Sequence, residues 1–137
     1  MKKAVLLIVL FLSLLVANGE TAFAQEKRLR STPKVFQTFY AKFRSAMVNG
    51  DKKSVALLTQ FPFQYGFDAG DEGTLSKAQF TKRFKELFGS YKKLFSQDNP
   101  VLSSDAGAFD LTSDDATHFR FEKKGVSYKF VAMISEP

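Results

Sequence analysis

Apolar residues recur at helical spacing from Phe36 through Phe39, Tyr40, Phe43, Ala46 and Met47, with Lys, Arg, Gln and Ser among the positions between them. That stripe predicts an amphipathic helix with one buried face. Pro33 suits its first turn, with Thr32 as the cap. Asn49-Gly50-Asp51 should stop it: Gly50 can take the left-handed C-terminal conformation, and Asp51 can cap a second helix whose apolar face is Val55 and Leu58. This second helix should end before Phe61-Pro62, because proline disfavours helical geometry in the residue preceding it.

From Phe61 the period changes to two. Phe61, Phe63, Tyr65 and Phe67 alternate with Pro62, Gln64, Gly66 and Asp68, which predicts a short strand. Ala69 to Gly73 reads as a loop. Ser76 and Gln79 then form a capping box, and Leu75 can staple to Phe80, so a third helix is expected from Lys77. Its stripe is Phe80, Phe84, Leu87 and Phe88; Gly89 ends it, or Tyr91, Leu94 and Phe95 carry it two turns further. After Asn99-Pro100 strands dominate. Thr117–Lys123 and Val126–Ile134 predict a hairpin about Lys124-Gly125, and Val101–Ser103 and Ala108–Thr112 are weaker strand candidates, the second followed by the turn-like Ser113-Asp114-Asp115. Helices followed by an antiparallel sheet imply an α+β domain with the helices on one sheet face.

Composition changes this picture at the N-terminus. Lys2 and Lys3 precede an apolar run from Ala4 to Ala17, and Ala22-Phe23-Ala24 fits signal-peptidase cleavage after Ala24. Residues 1–24 are therefore read as a signal peptide, residues 25–32 as a flexible basic arm and residues 33–137 as one domain. The chain contains no cysteine, so no lipid-attachment site, disulfide or thiolate site is expected, and no stable membrane anchor remains after cleavage. Removing Lys2, Lys3 and Glu20 lowers the formal charge from +6 to +5. Of the sixteen phenylalanines, all but Phe11 and Phe23 lie beyond the leader, which predicts a core lined by Phe. The periplasm is the expected location, with the outside medium as the alternative.

The segments Phe39 to Phe43 with Asn49-Gly50-Asp51-Lys52, Leu58-Thr59-Gln60-Phe61-Pro62-Phe63, Leu75-Ser76-Lys77-Ala78-Gln79-Phe80 and Phe121 through Phe130 resemble small exported bacterial members of the nuclear transport factor two-like, or cystatin-like, superfamily. The resemblance covers nearly all of residues 25–137 and rests on caps, turns and core positions. It implies a strongly curved sheet that encloses a conical pocket with its helices. It does not select among catalysis, ligand binding and protein binding in that pocket.

The candidate pocket residues are Phe36, Tyr40, Phe43, Tyr65, Phe84, Asp110, His118 and Arg120. His118, Arg120 and Glu122 share one strand face, opposite Phe119 and Phe121. The plain reading is a solvent-facing strand; the functional one makes His118 a base beside Asp110 and Arg120 an anion holder. Superfamily members that isomerise steroids or dehydrate phenolics resemble one another in placing Tyr or His with Asp in an apolar cone, and Tyr40, Tyr65, Asp110 and His118 are residue types suited to such a site. A Tyr40–Asp110 pair would raise the carboxyl pKa. One histidine and turn-borne carboxylates (Asp71-Glu72, Asp114-Asp115) imply neither a metal nor another cofactor.

Basic doublets at Lys52-Lys53, Lys92-Lys93 and Lys123-Lys124 are read as a solvated surface, with an anionic lipid or envelope polymer as the alternative. No nucleic-acid motif is present. The leading functional expectation is an exported, non-enzymatic binding domain for a small amphipathic molecule or a partner protein. An isomerase- or dehydratase-like enzyme and a homodimeric module acting through the sheet face are the alternatives.

Overall fold

The computed structural model describes residues 25–67 and 70–136. Residues 1–24, the expected signal peptide, Asp68 at the end of the expected alternation, Ala69 of the expected loop and Pro137 lie outside that description. Lys34–Val48 forms α1 and Lys52–Leu57 forms α2. The predicted stripe of α1 is buried, and Asp51 accepts a hydrogen bond from the Ser54 amide at the start of α2. Thr32 does not cap α1. Its hydroxyl donates to Leu29 O within a 3-10 turn over Leu29–Ser31, and its own carbonyl accepts from Gln37 Nε2 at 2.7 Å.

The expected third helix is three short ones. α3 (Lys77–Lys82) begins with the predicted reciprocal cap between Ser76 and Gln79. Arg83 departs from helical geometry, α4 (Phe84–Phe88) follows, and a 3-10 turn over Gly89–Tyr91 leads into α5 (Lys92–Phe95). Phe80, Phe84, Leu87, Phe88 and Phe95 all meet the core, as their helical spacing predicts, although the helix is interrupted. Gly89 is the C-cap of α4, and the chain continues from it through the 3-10 turn into α5.

Seven strands form one sheet in the order β1-β4-β5-β6-β7-β2-β3. They are Gln25–Arg28, Thr59–Phe67, Asp71–Leu75, Val101–Asp105, Ala108–Thr112, Thr117–Lys124 and Ser127–Ser135, numbered along the chain. Two strands correct the sequence reading. Gln25–Arg28, expected as part of a flexible arm, pairs antiparallel with β4, and Asp71–Leu75, expected as mostly loop, pairs antiparallel with β2. Both are polar edge strands held by backbone bonds, so neither carries an apolar alternation to betray it. Gly73 lies against the Tyr65 ring, where a Cβ would come within 3.4 Å.

The sheet is mixed, not wholly antiparallel, because β2 runs parallel to β7. Long connections separate these strands in sequence, so no hairpin turn imposes antiparallel pairing. Between the pairs Arg120↔Ala132 and Phe121↔Phe130, Val131 is an extra residue, a bulge that bends β7. The helices cover one sheet face. Phe36 meets Phe109 at 4.4 Å between ring centroids, Phe43 meets Phe130 at 4.9 Å and Phe95 meets Phe119 at 5.1 Å.

Candidate functional site

The eight sequence-nominated residues do not converge. Phe36, Tyr40 and Phe43 project from α1 into the core and have no exposed surface. Phe121 fills the space opposite them, with its ring centroid 5.8 Å from Phe36 and Tyr40 and 5.1 Å from Phe43. The volume expected for a cone is thus occupied here by the protein's own rings. Tyr65 stands near the end of β2, with the Arg83 guanidinium carbon 5.5 Å from its ring centre. Phe84 is buried in α4 against Phe80 and Phe88. Asp110, His118 and Arg120 occupy the sheet face opposite the Phe core, because their neighbours Phe109, Phe119 and Phe121 point inward.

On that face the charged groups satisfy one another. Arg120 donates from Nη1 to Asp110 Oδ2 at 2.9 Å and from Nε to Glu122 Oε1 at 3.2 Å, and Lys124 Nζ lies 3.2 Å from Glu122 Oε2. The four charges sum to zero. Burial pushes the Asp110 carboxyl up, and the charges of Arg120 and His118 oppose the rise without cancelling it. Burial also acts against the Arg120 charge, but its bond to Glu122 and the charge of Asp110 raise its pKa overall. Glu122 is lowered because the bonds from Arg120 and Lys124 outweigh its burial. With both carboxylates bound to it, this arginine is poorly placed to hold a further anion.

His118 Nδ1 shares a 2.9 Å hydrogen bond with Thr112 Oγ1. Its Nε2 lies 3.4 Å from Glu136 Oε1, close enough for ionic attraction, yet the alignment makes no hydrogen bond and this buried atom has no other partner. Tyr40 Oη is likewise buried and unpartnered, so no Tyr40–Asp110 hydrogen bond accounts for the raised Asp110 pKa. Burial lifts the Tyr40 phenol far above its ordinary value, with the positive charge of Arg44 pulling the other way. Arg44 is anchored elsewhere, donating to Phe95 O, Ser96 O and Asp98 Oδ1. Among the described residues no group of three or more His, Asp or Glu side chains is arranged to hold a metal ion.

A different site lies where the end of α1 and the start of α2 face α3, α4 and α5. It is a groove of about 450 Å³ with an apolar lining from Met47, Val48, Phe84 and Phe88. Lys52, Lys82, Lys85 and Lys92 stand around it, and among the described residues no carboxylate lines it. Gly50, at φ +66°, turns the chain from α1 to α2, and the spacing of Lys82, Lys85 and Lys92 places them along one side of the α3–α5 segment. The four ammonium groups supply positive potential and long flexible donors, while the aromatic and thioether lining offers apolar contact. That combination suits a ligand with one anionic end and one apolar end.

Of the eight nominated residues Phe84 lines this groove, while its lysines come from four helices and read as solvated positions within each. The detectable signal was the spacing of Lys82 and Lys85 beside Phe84 and Phe88, which puts cations at the border of a buried stripe.

No protein-family model matches the chain, and a search of curated proteins finds no significant relative.

Proposed function

We propose that the protein is an exported, non-enzymatic binding domain of the nuclear transport factor two-like superfamily, and that its groove holds an amphipathic anion. The observation that carries this reading is the set of four lysines around an apolar floor that, among the described residues, no carboxylate lines. An alkyl segment lies on Met47, Val48, Phe84 and Phe88, and its carboxylate or phosphate head meets the ammonium groups. The order of helices and strands, together with the bulged mixed sheet, supports the superfamily resemblance. The basic, apolar leader with a small-residue cleavage site supports export. The non-enzymatic reading is supported by the engagement of Asp110 with Arg120 on the face opposite the Phe core.

Calorimetric titration of residues 25–137 with monomeric decanoate tests this. The expected result is one site, weakened about tenfold or more by Lys85→Glu with Lys92→Glu and much weaker for uncharged decanol, since each removed charge contact is worth on the order of 1 kcal/mol. Equal binding of decanol, or no response to the charge reversals, would overturn the reading.

A further inference from the structure

We infer that a second surface, built by the start of α1, the end of α2 and the β6–β7 turn, docks on an anionic phospholipid bilayer. It bears the three most exposed large apolar side chains among the described residues: Val126 at 90%, Leu57 at 66% and Val35 at 47%. Single exposed aliphatics need no explanation, but the chain segments that carry these three border one feature. A depression of about 320 Å³ is lined by Val35 itself, by Leu58 next to Leu57 and by Ser127 next to Val126. A second depression of about 570 Å³ includes Leu57 and shares Leu58 and Lys42 with the first; Asp51 also lines it, with its carboxylate bonded to the Ser54 amide and hydroxyl.

The outward side chains belong to anchored backbone. Lys129 Nζ donates to Leu57 O at 2.8 Å, and the Phe130 amide donates to Leu58 O at 2.9 Å, so the end of α2 is tied to β7. Gly125, at φ +63°, makes the tight turn that puts Val126 at the hairpin tip. Turn tips are ordinarily polar, and the fold gains little from a β-branched aliphatic there.

The charge pattern selects the occupant. Lys34 and Lys42 line the first depression, Lys53 precedes Leu57 by one helical turn, and Lys123 and Lys124 flank the hairpin tip. Among the described residues, none of Lys34, Lys42, Lys53 and Lys123 has a carboxylate within 4.0 Å. Separate aliphatic tips interspersed with lysines match a headgroup layer, where the tips enter the acyl boundary and the ammonium groups meet phosphates. A stable protein interface would instead be a continuous surface of roughly 1,000 Å² or more.

Co-sedimentation with vesicles tests the inference. Residues 25–137 are used because every contact described lies within them. Binding is expected to phosphatidylcholine vesicles containing phosphatidylglycerol but not to phosphatidylcholine alone. It should be lost as salt rises from about 0.01 to 1 M, where the Debye length shrinks from roughly 30 to 3 Å. Leu57→Ser with Val126→Ser should weaken it about tenfold or more, both residues being too exposed to matter for folding. Lys34→Glu with Lys123→Glu should also weaken it, by about fivefold or more for each lysine. Lys85→Glu with Lys92→Glu, which disables the groove, should weaken it far less, so failure here is distinguishable from failure of the groove. Equal binding to neutral vesicles, indifference to the serine substitutions, or absence of vesicle binding overturns the inference. If vesicle binding is absent while the protein dimerises through Leu57 and Val126, the surface belongs to a second copy of the chain.

Discussion

Tyr40→Phe removes one oxygen from the middle of the core, and that oxygen has no hydrogen-bond partner. A buried hydroxyl left unpaired costs about 1–3 kcal/mol relative to its hydrated state in the unfolded chain. Deleting it forfeits a few dispersion contacts of roughly 0.1–0.2 kcal/mol each, and the ring keeps its edge-on contact with Phe121. The variant should therefore be about 1 kcal/mol more stable, which for a domain of this size raises Tm by roughly 3–6 °C. Urea unfolding followed by circular dichroism measures it, with an unchanged m-value as the sign that the unfolded state is unaltered. Alkaline pH adds a second readout. Burial raises the folded-state phenol pKa above its ordinary 10.0, so its contribution is fully present below pH 10 and is lost as the pH climbs beyond it. Tyr40→Phe lacks this dependence, and its advantage should widen above pH 10. A loss of about 1 kcal/mol on substitution would refute the reasoning, since it would mean that the hydroxyl is bonded in the folded protein.

Phe121→Ala should cost about 3–5 kcal/mol in urea unfolding, because its ring joins Phe36, Tyr40, Phe43 and Phe130; a cost under about 1 kcal/mol would contradict a filled core. Ser76→Ala should lose about 1 kcal/mol by removing the acceptor of the Gln79 amide, and Ser76→Asp should restore most of it. Carbon-13 titration should place the Asp110 midpoint above the ordinary 3.8 and that of Glu86, bonded by Arg83, below the ordinary 4.5. Because the folded state favours protonated Asp110, the wild type should lose stability relative to Asp110→Asn as pH rises from 3.8 through the folded-state midpoint; a widening wild-type advantage would reverse the sign.

What was legible in the sequence was local. The α1 stripe, the Asp51 cap, the Ser76–Gln79 box and the inward Phe119 and Phe121 each follow from spacing within a few residues. Edge strands β1 and β3 were missed because charged or glycine-containing segments can pair through backbone groups alone, and β4 and β2 supply the partners. The parallel β2–β7 pairing joins distant segments and leaves no short-range mark. Asp110 and Arg120 were nominated as chemistry, yet their register opposite each other makes them a neutral ladder. The groove was legible only in Phe84 and the Lys82–Lys85 spacing, because Lys52 and Lys92 become neighbours of one cavity only after α1, α2 and the broken α3–α5 segment have packed.

An amphipathic anion should bind in the lysine-rimmed groove over Met47, Phe84 and Phe88, away from the rings packed around Phe121. Amide and methyl NMR spectra recorded during a decanoate titration test it residue by residue. The account predicts shifts concentrated at Met47–Gly50, Thr81–Lys85 and Phe88–Lys92, with Phe36, Phe109 and Phe121 unmoved. Shifts centred on those three phenylalanines, with the groove silent, would place the site inside the core and contradict the account.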